Sequence, residues 1–365
     1  MTEIDVDIPI GAACRIDAVA PGLTIAEVPV GLDPEGVAVD LSRGRAYVAC
    51  SRADNVAVVD LETNETVARI PVGAEPIDLA YDPATDRIFT ANAHSDSVSA
   101  VNAESLEVVA TIDVGLYPSG LTADHEARRI YCGNSLGSSM SVIDLDTLET
   151  IATVEAEVGA GAIAFDRTRD LVICVNFIAA SATFIDTKTW TAIGRVEVGA
   201  GACAVGIVPE LGHAFIVNSL AGTVSRVSLD DITVLEELTV GRAPVGLTVG
   251  PPHDRIYVSN RGSGTLSILG AADGVQWAQI PVGGGPGGIA VDGNRVYVAN
   301  AGSGTLSIVD DLLAGAPPRP AVEPPHPLIG HRLPEFSLVD FRTGERRSSH
   351  EWAERRYIIN FFASW

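Results

Sequence analysis

Asp33, Glu75 and Asp78 are the residues whose types and placing could do chemistry in this sequence. Carboxylates supply the hard oxygen donors that Ca²⁺ collects in number, and Glu35, Asp54, His94 and Asp96 share the same stretch of chain. The chemistry open to such a group is a hard-cation site, with Ca²⁺ the expected ion, or a docking patch for a cationic ligand. The competing reading is an acidic rim on an acidic protein. The five cysteines (Cys14, Cys50, Cys132, Cys174, Cys203) contain no Cys-x-x-Cys, no haem-attachment pattern and no Cys/His cluster at zinc spacing. They read as free, buried thiols, and no catalytic residue is assigned.

Those carboxylates lie in different sequence segments, so an element pattern must gather them, and a repeat supplies it. The segments "AYVAC", "IFTAN", "IYCGN", "VICVN", "AFIVN" and "IYVSN" end at Cys50, Asn92, Asn134, Asn176, Asn218 and Asn260, 42 residues apart, and "VYVAN" follows at Asn300 after 40. Each unit holds four short apolar runs parted by turn-like residues, as in "EGVAVD", "RAYVAC", "NVAVVDL" and "TVARIPVG". Four strands per unit of this length describe a propeller blade. Counting by the glycines Gly31, Gly73, Gly115, Gly159, Gly199, Gly241 and Gly283 gives seven units. The last unit supplies only three runs, while "LTIAEVPVG" stands alone at the start. The expected fold is therefore all-β, a seven-bladed β-propeller closed by an N-terminal strand, which removes two open sheet edges.

Loops from strand four to the next strand one, and from strand two to strand three, fall on one face because strand direction alternates. That places Asp33, Glu35 and Asp54 of the first blade beside Glu75, Asp78, His94 and Asp96 of the second. Asp78 further breaks the ring Gly36, Asp78, Gly120, Ala162, Ala204, Gly246, Gly288, in which every other member is Gly or Ala. A second break is "NFIAASA", where Phe177 and Ile178 replace the polar loop seen as "NRGSG" and "NAGSG". They are the expected partner-binding residues. Recurring features read as scaffold: the pairs Asp40/Arg45, Asp82/Arg87, Asp124/Arg129 and Asp292/Arg295 as exposed cross-hairpin pairs, the asparagines after strand two as turn caps. His125, His213 and His253 fall in equivalent turns, too far apart to share a metal, and read as solvated.

The repeat motifs "IYVSN", "VYVAN" and "VGxxPxG" resemble the tyrosine-valine-threonine-asparagine (YVTN) family of β-propeller repeats over Leu23 to about Asp311. "VGAGAIA" and "VGAGACA" depart from it in lacking the proline. The resemblance implies the propeller fold, and with it binding platforms, surface proteins or lactonase-like enzymes.

Beyond the propeller, "LLAGAPPRPAVEPPHPLIG" changes composition to that of an extended spacer. The segment after it resembles the opening of thioredoxin-like thiol-disulfide oxidoreductases and redoxins through Gly330, Pro334, Phe336 and Leu338, then Asp340 and Gly344 in a hairpin, then "YIINFFASW". In that family this strand runs into a Cys-x-x-Cys, and Trp365 is the residue before its first cysteine, so the sequence is expected to be a fragment, inactive as written. The domain reading is an N-terminal extension (1–22), the propeller (23–311), a Pro-rich linker (312–328) and a truncated thioredoxin-like domain (329–365).

A net charge of −23, with Lys188 the one lysine among 24 basic residues, leaves no basic stripe for nucleic acid. No apolar run approaches the ~20 residues of a membrane span, and "MTEIDVDIPIGAAC" has neither a basic nor an apolar leader region. The expectation is a soluble monomer, cytoplasmic as written and extracytoplasmic if the N-terminus is incomplete. Its first functional reading is a binding module for a protein or small-molecule ligand, fused to the oxidoreductase domain. The alternative is a lactonase-like hydrolase with a cation near Asp78, and a third is a scaffold with no chemistry.

Overall fold

The computed structural model describes residues 4–5, 23–250, 254–312, 337–340 and 346–348. It divides into two compact units, Pro21–Gly315 and Met1–Ala20 with Ala316–Trp365. The larger unit holds seven four-stranded antiparallel sheets. It is a seven-bladed β-propeller.

The innermost strands, numbered here by blade, are Pro34–Asp40, Pro76–Asp82, Pro118–Asp124, Ala160–Asp166, Ala202–Val208, Pro244–Gly250 and Pro286–Asp292. Second strands are buried on both faces, and every residue of Leu171–Asn176 is enclosed. Small and β-branched side chains suit that position because each blade packs its two faces against neighbouring blades. Val37, Val48, Ala57, Tyr297 and Ile308, for example, form one core between blades 7 and 1. As expected, the N-terminal strand Leu23–Pro29 is the fourth strand of blade 7, pairing antiparallel with Thr305–Asp310 from Leu23↔Asp310 to Pro29↔Thr305. Val28 and Val30 are buried there.

Every innermost strand carries a register irregularity near its entry, between Pro76 and Asp78 in blade 2 and between Pro118 and Gly120 in blade 3. A bulge leaves its extra residue unpaired and bends the strand. At that point the strands of adjacent blades approach backbone to backbone: a Cβ on Gly120 would lie 2.5 Å from the Gly161 oxygen, and on Gly246 2.3 Å from that of Gly287. The small-residue ring is the consequence.

The repeated asparagines do something other than cap turns. Nδ2 of Asn92 donates to Ser97 and Ser99, and Asn134, Asn176, Asn218 and Asn300 likewise bond hydroxyls five and seven residues ahead, on strand three. In blades 2, 3, 5, 6 and 7 the glycine of the Val-Gly makes room for this amide, since a Cβ on Gly73 or Gly241 would meet Asn92 or Asn260 at 2.7 or 2.4 Å. In blade 4 that place belongs to Glu157. Gly159, used above to count the blade, is two residues later, in the left-handed position (φ +89°) held by Glu75 and Tyr117 in blades 2 and 3.

The Asp/Arg brackets are also corrected. Asp40↔Arg45 and Asp82↔Arg87 are register partners, but the carboxylates are buried and turn to their own hairpins: Asp40 accepts from Ser42 and Arg43, Asp82 from Thr85. Arg45 and Arg87 donate instead to the Ala103 and Leu145 carbonyls of the next blade. His125 is not merely solvated, because its Nδ1 bonds the buried Asp82 carboxylate. Burial opposes ionisation of Asp82, yet the Thr85 and His125 bonds outweigh it and hold the pKa below the ordinary value. His213 is half-buried and its Nδ1 has no hydrogen-bond partner among the described residues; His253 lies outside the described residues.

In the smaller unit Ser337–Asp340 pairs antiparallel with Arg346–Ser348. Ile4–Asp5 adds a third strand beside Val339 and Asp340, a partnership that the reading of 1–22 as an extension does not foresee. The Pro-rich spacer and "YIINFFASW" lie outside the described residues.

Candidate functional site

The loops from strand four to strand one, and from strand two to strand three, gather around the entrance to the propeller's central channel. Asp33, Glu75 and Tyr117 occupy equivalent left-handed positions, with φ of 55°, 54° and 55°, as do Asp54 and Asp96 at 49° and 47°. Asp residues tolerate that conformation and bond nearby amides. Asp54 Oδ1 accepts from the Glu75 N–H at 2.9 Å, and Asp96 Oδ1 from the Tyr117 N–H at 2.8 Å. Both are therefore blade-to-blade fasteners.

The other carboxylates of the sector have separate partners. Asp33 pairs with Arg52 at 3.2 Å, and Glu75 pairs with His94 while accepting from the Tyr117 hydroxyl at 3.2 Å. The His94 ring stands edge-on to Tyr117, 5.6 Å between centroids. Glu35 pairs with Arg261 of blade 6. Burial raises the Glu35 pKa, with Arg261 opposing. Among the described residues no three His, Cys, Asp or Glu side chains gather closely enough to hold a metal ion.

Asp78 stands apart. It lines a channel cavity of about 300 Å³ together with Glu35, Ser119, Cys203 and a mainly small and apolar wall that includes Ile163 and Leu247. Its Oδ2 accepts from the Leu121 N–H of blade 3 at 2.9 Å, and it forms no ion pair among the described residues. Desolvation pushes its carboxyl up to about 6, with the Leu121 and Leu79 amides acting the other way. Burial likewise raises the thiols of Cys174 and Cys203 to about 12, and that of Cys132 further, which makes them packing groups.

Phe177 and Ile178 are exposed at the tip of their loop, 42% and 63%. They are not alone. Leu136 and Leu220 hold the place of Ile178 in blades 3 and 5, at 64% and 74% exposure, and Leu116 and Val158 are exposed on the paired loops. Leu136 donates its N–H to the Leu116 carbonyl, and Ala179 to that of Val158, so the two loop sets run side by side. An apolar arc thus covers blades 3 to 5, beginning beside the charged sector. Sequence reading took Phe177 and Ile178 from the unusual loop and missed Leu136 and Leu220; the 42-residue step from Ile178 in either direction is the signal that finds them.

A cavity of about 410 Å³ between blades 3 and 4 is lined by Asp124, Arg129, Asp170, Lys188 and Trp190. Its charges are already matched: Lys188 with Asp170 at 2.5 Å, Arg129 over the Trp190 ring at 5.1 Å.

No protein-family model matches the chain, and no curated protein sequence matches it. Among solved structures, the hydrazine synthase of Kuenenia stuttgartiensis is similar at a TM-score of 0.67 and 18% identity, over 82% of this chain and 99% of that one. The likeness is one of fold. With 1531 solved chains similar to this one, the fold by itself selects no function. No helix among the described residues is long and apolar enough to cross a membrane.

Proposed function

We propose that the propeller is a protein-binding platform of the YVTN type, and that it serves a thioredoxin-like thiol-disulfide oxidoreductase unit to which residues 329–365 belong. The observation that carries the platform reading is the arc of Leu136, Ile178 and Leu220, with Phe177 beside it. Exposed apolar side chains gathered on one face mark an interaction surface, and three aligned large residues in three consecutive blades are a gathered set. The partner is a polypeptide segment with apolar side chains, its basic groups directed toward the acidic loops of blades 1 and 2. A second copy of this chain is disfavoured, because two bodies of net charge −23 repel. The hairpin of Ser337–Asp340 and Arg346–Ser348 falls where the thioredoxin-like resemblance asks for one, which supports the second half of the reading.

The platform is tested with a reduced, carboxymethylated unfolded protein as probe, against the wild type and a Leu136→Ser/Ile178→Ser/Leu220→Ser variant. At least a tenfold loss of affinity with an unchanged melting temperature is expected; equal affinity overturns the reading. The oxidoreductase half is tested in the source gene beyond the codon for Trp365. A Cys-x-x-Cys there, with insulin-reducing activity of the encoded protein, supports it, and a stop codon overturns it.

A further inference from the structure

The arc leaves the channel unexplained, and the channel contains a desolvated carboxyl at a cavity wall, Asp78, with no countercharge among the described residues. We propose that the central cavity binds a small organic cation, an ammonium or guanidinium with an apolar body, and that Asp78 is its counter-ion. This inference rests on the cavity and does not depend on the platform reading.

The size of the space comes first. About 300 Å³ is open among the innermost strands. Dividing by the ~30 Å³ that one water occupies in the liquid leaves room for roughly ten heavy atoms, the low end of small-molecule sites. The space exists because the ring positions are Gly36, Gly120, Ala162, Ala204, Gly246 and Gly288, whose side chains cannot fill it.

The chemistry of the wall comes second. Val37, Ile163, Leu247 and Ile289 present hydrocarbon, which suits an apolar body. The other carboxylate at the wall, Glu35, is taken by Arg261. Asp78 has one oxygen held by the Leu121 amide and no cationic partner among the described residues. An ionised carboxylate in that state is costly unless a charge comes to it, and a ligand cation supplies that charge where the protein does not. With its pKa raised to about 6, the group is still largely ionised at pH 7.5. A bare metal ion is the poorer fit, because the wall offers one free carboxylate and no cluster of three acidic, His or Cys ligands.

The blades explain why this residue is the one. Asp78 follows the bulge at Ile77 and pairs with Ala91, and its side chain is directed into the cavity from the position that holds Gly or Ala in every other blade. Only in blade 2 is there a charged group to direct.

The experiment titrates the full chain at pH 7.5 with benzylamine, benzyl alcohol and benzoate, probes of one shape and three charge types, by ligand-observed NMR. Saturable binding of benzylamine is expected, at least tenfold tighter than benzyl alcohol, with none for benzoate. Asp78→Asn keeps an acceptor for the Leu121 amide and should weaken benzylamine at least tenfold while leaving benzyl alcohol unchanged. If Asp78→Asn does not fold, Ala162→Leu, which fills the cavity from another blade and leaves the carboxylate in place, must abolish binding of both amine and alcohol. Equal affinity for amine and benzoate, undiminished binding in either folded variant, or no saturable binding by any probe overturns the proposal.

Discussion

At the scale of single residues, Asp78 couples the fold to pH in a direction opposite to most carboxylates. Its pKa is raised by desolvation from the ordinary 3.8 to about 6, so the folded state holds the proton more tightly than the unfolded state does. The stabilisation is complete below about 3.8 and is lost as pH rises through about 6. The residual burden of an ionised Asp78 at neutral pH is roughly 2–3 kcal/mol. Asp78→Asn is therefore expected to stabilise the propeller by up to that amount at pH 8 and by almost nothing at pH 4, read from urea midpoints at the two pH values. Equal effects at both would show that the carboxyl is not desolvated. Asp78 was legible in the sequence because a seven-membered ring of equivalent positions exposes its one charged member. Its neighbours were legible only as acids: nothing in the residue types tells that Asp54 and Asp96 bond backbone amides of the next blade while Glu35 reaches Arg261 across the ring.

At the scale of elements, the end of the propeller is fastened by a buried charge. Asp311 follows the third strand of blade 7 at the place held by Ala103, Leu145 and Ala271 in other blades. Where Arg45 and Arg87 find a carbonyl, Arg255 finds the Asp311 carboxylate at 2.6 Å, and the Tyr257 hydroxyl donates to the same oxygen at 2.6 Å. Arg255 and Asp311 are each 1% exposed, and Asp254 holds the other edge of the guanidinium. Removing Asp311 leaves the buried guanidinium held by Asp254 on one edge and takes the acceptor from the Tyr257 hydroxyl, so Asp311→Ala should cost about 1–3 kcal/mol. Replacing both, as Arg255→Met with Asp311→Leu, should recover most of that. A double variant as unstable as the single one, in chemical denaturation, would argue that the half-paired arginine is not the source of the loss. The sequence shows an Asp in an apolar column but not its partner, because the two lie 56 residues apart and meet only through blade packing.

At the scale of the whole molecule, stability depends on closure. Leu23–Pro29 closes the ring by pairing with Thr305–Asp310, and Val28 and Val30 enter the core between blades 7 and 1. Thr24 Oγ1 adds a bond to the Pro281 carbonyl of blade 6 at 2.7 Å. Deleting residues 1–30 leaves Thr305–Asp310 as an open sheet edge. A melting temperature lower by at least ten degrees, with aggregation on heating, is the expected result by differential scanning calorimetry; an unchanged transition would mean that blade 7 is stable with three strands. The same closure sets the surface. Ring geometry gathers side chains 42 residues apart on one face, and so divides that face into a charged sector over blades 1 and 2 and an apolar arc over blades 3 to 5.

The amino-acid sequence by itself determined the class, the blade number and the closing strand, because a repeat of short apolar runs has few ways to bury both faces of each sheet. It determined which position of the ring is exceptional. Only the tertiary structure decided what the acids do, since hydrogen bonds between blades join residues that no local pattern relates. It also decided that the repeated asparagines serve strand three and that Ile4–Asp5 pairs with a strand more than 300 residues away. The physical reason is common to all of them. Periodicity in a sequence reports burial, whereas the partner of a polar group is set by which strands the fold brings within hydrogen-bonding distance.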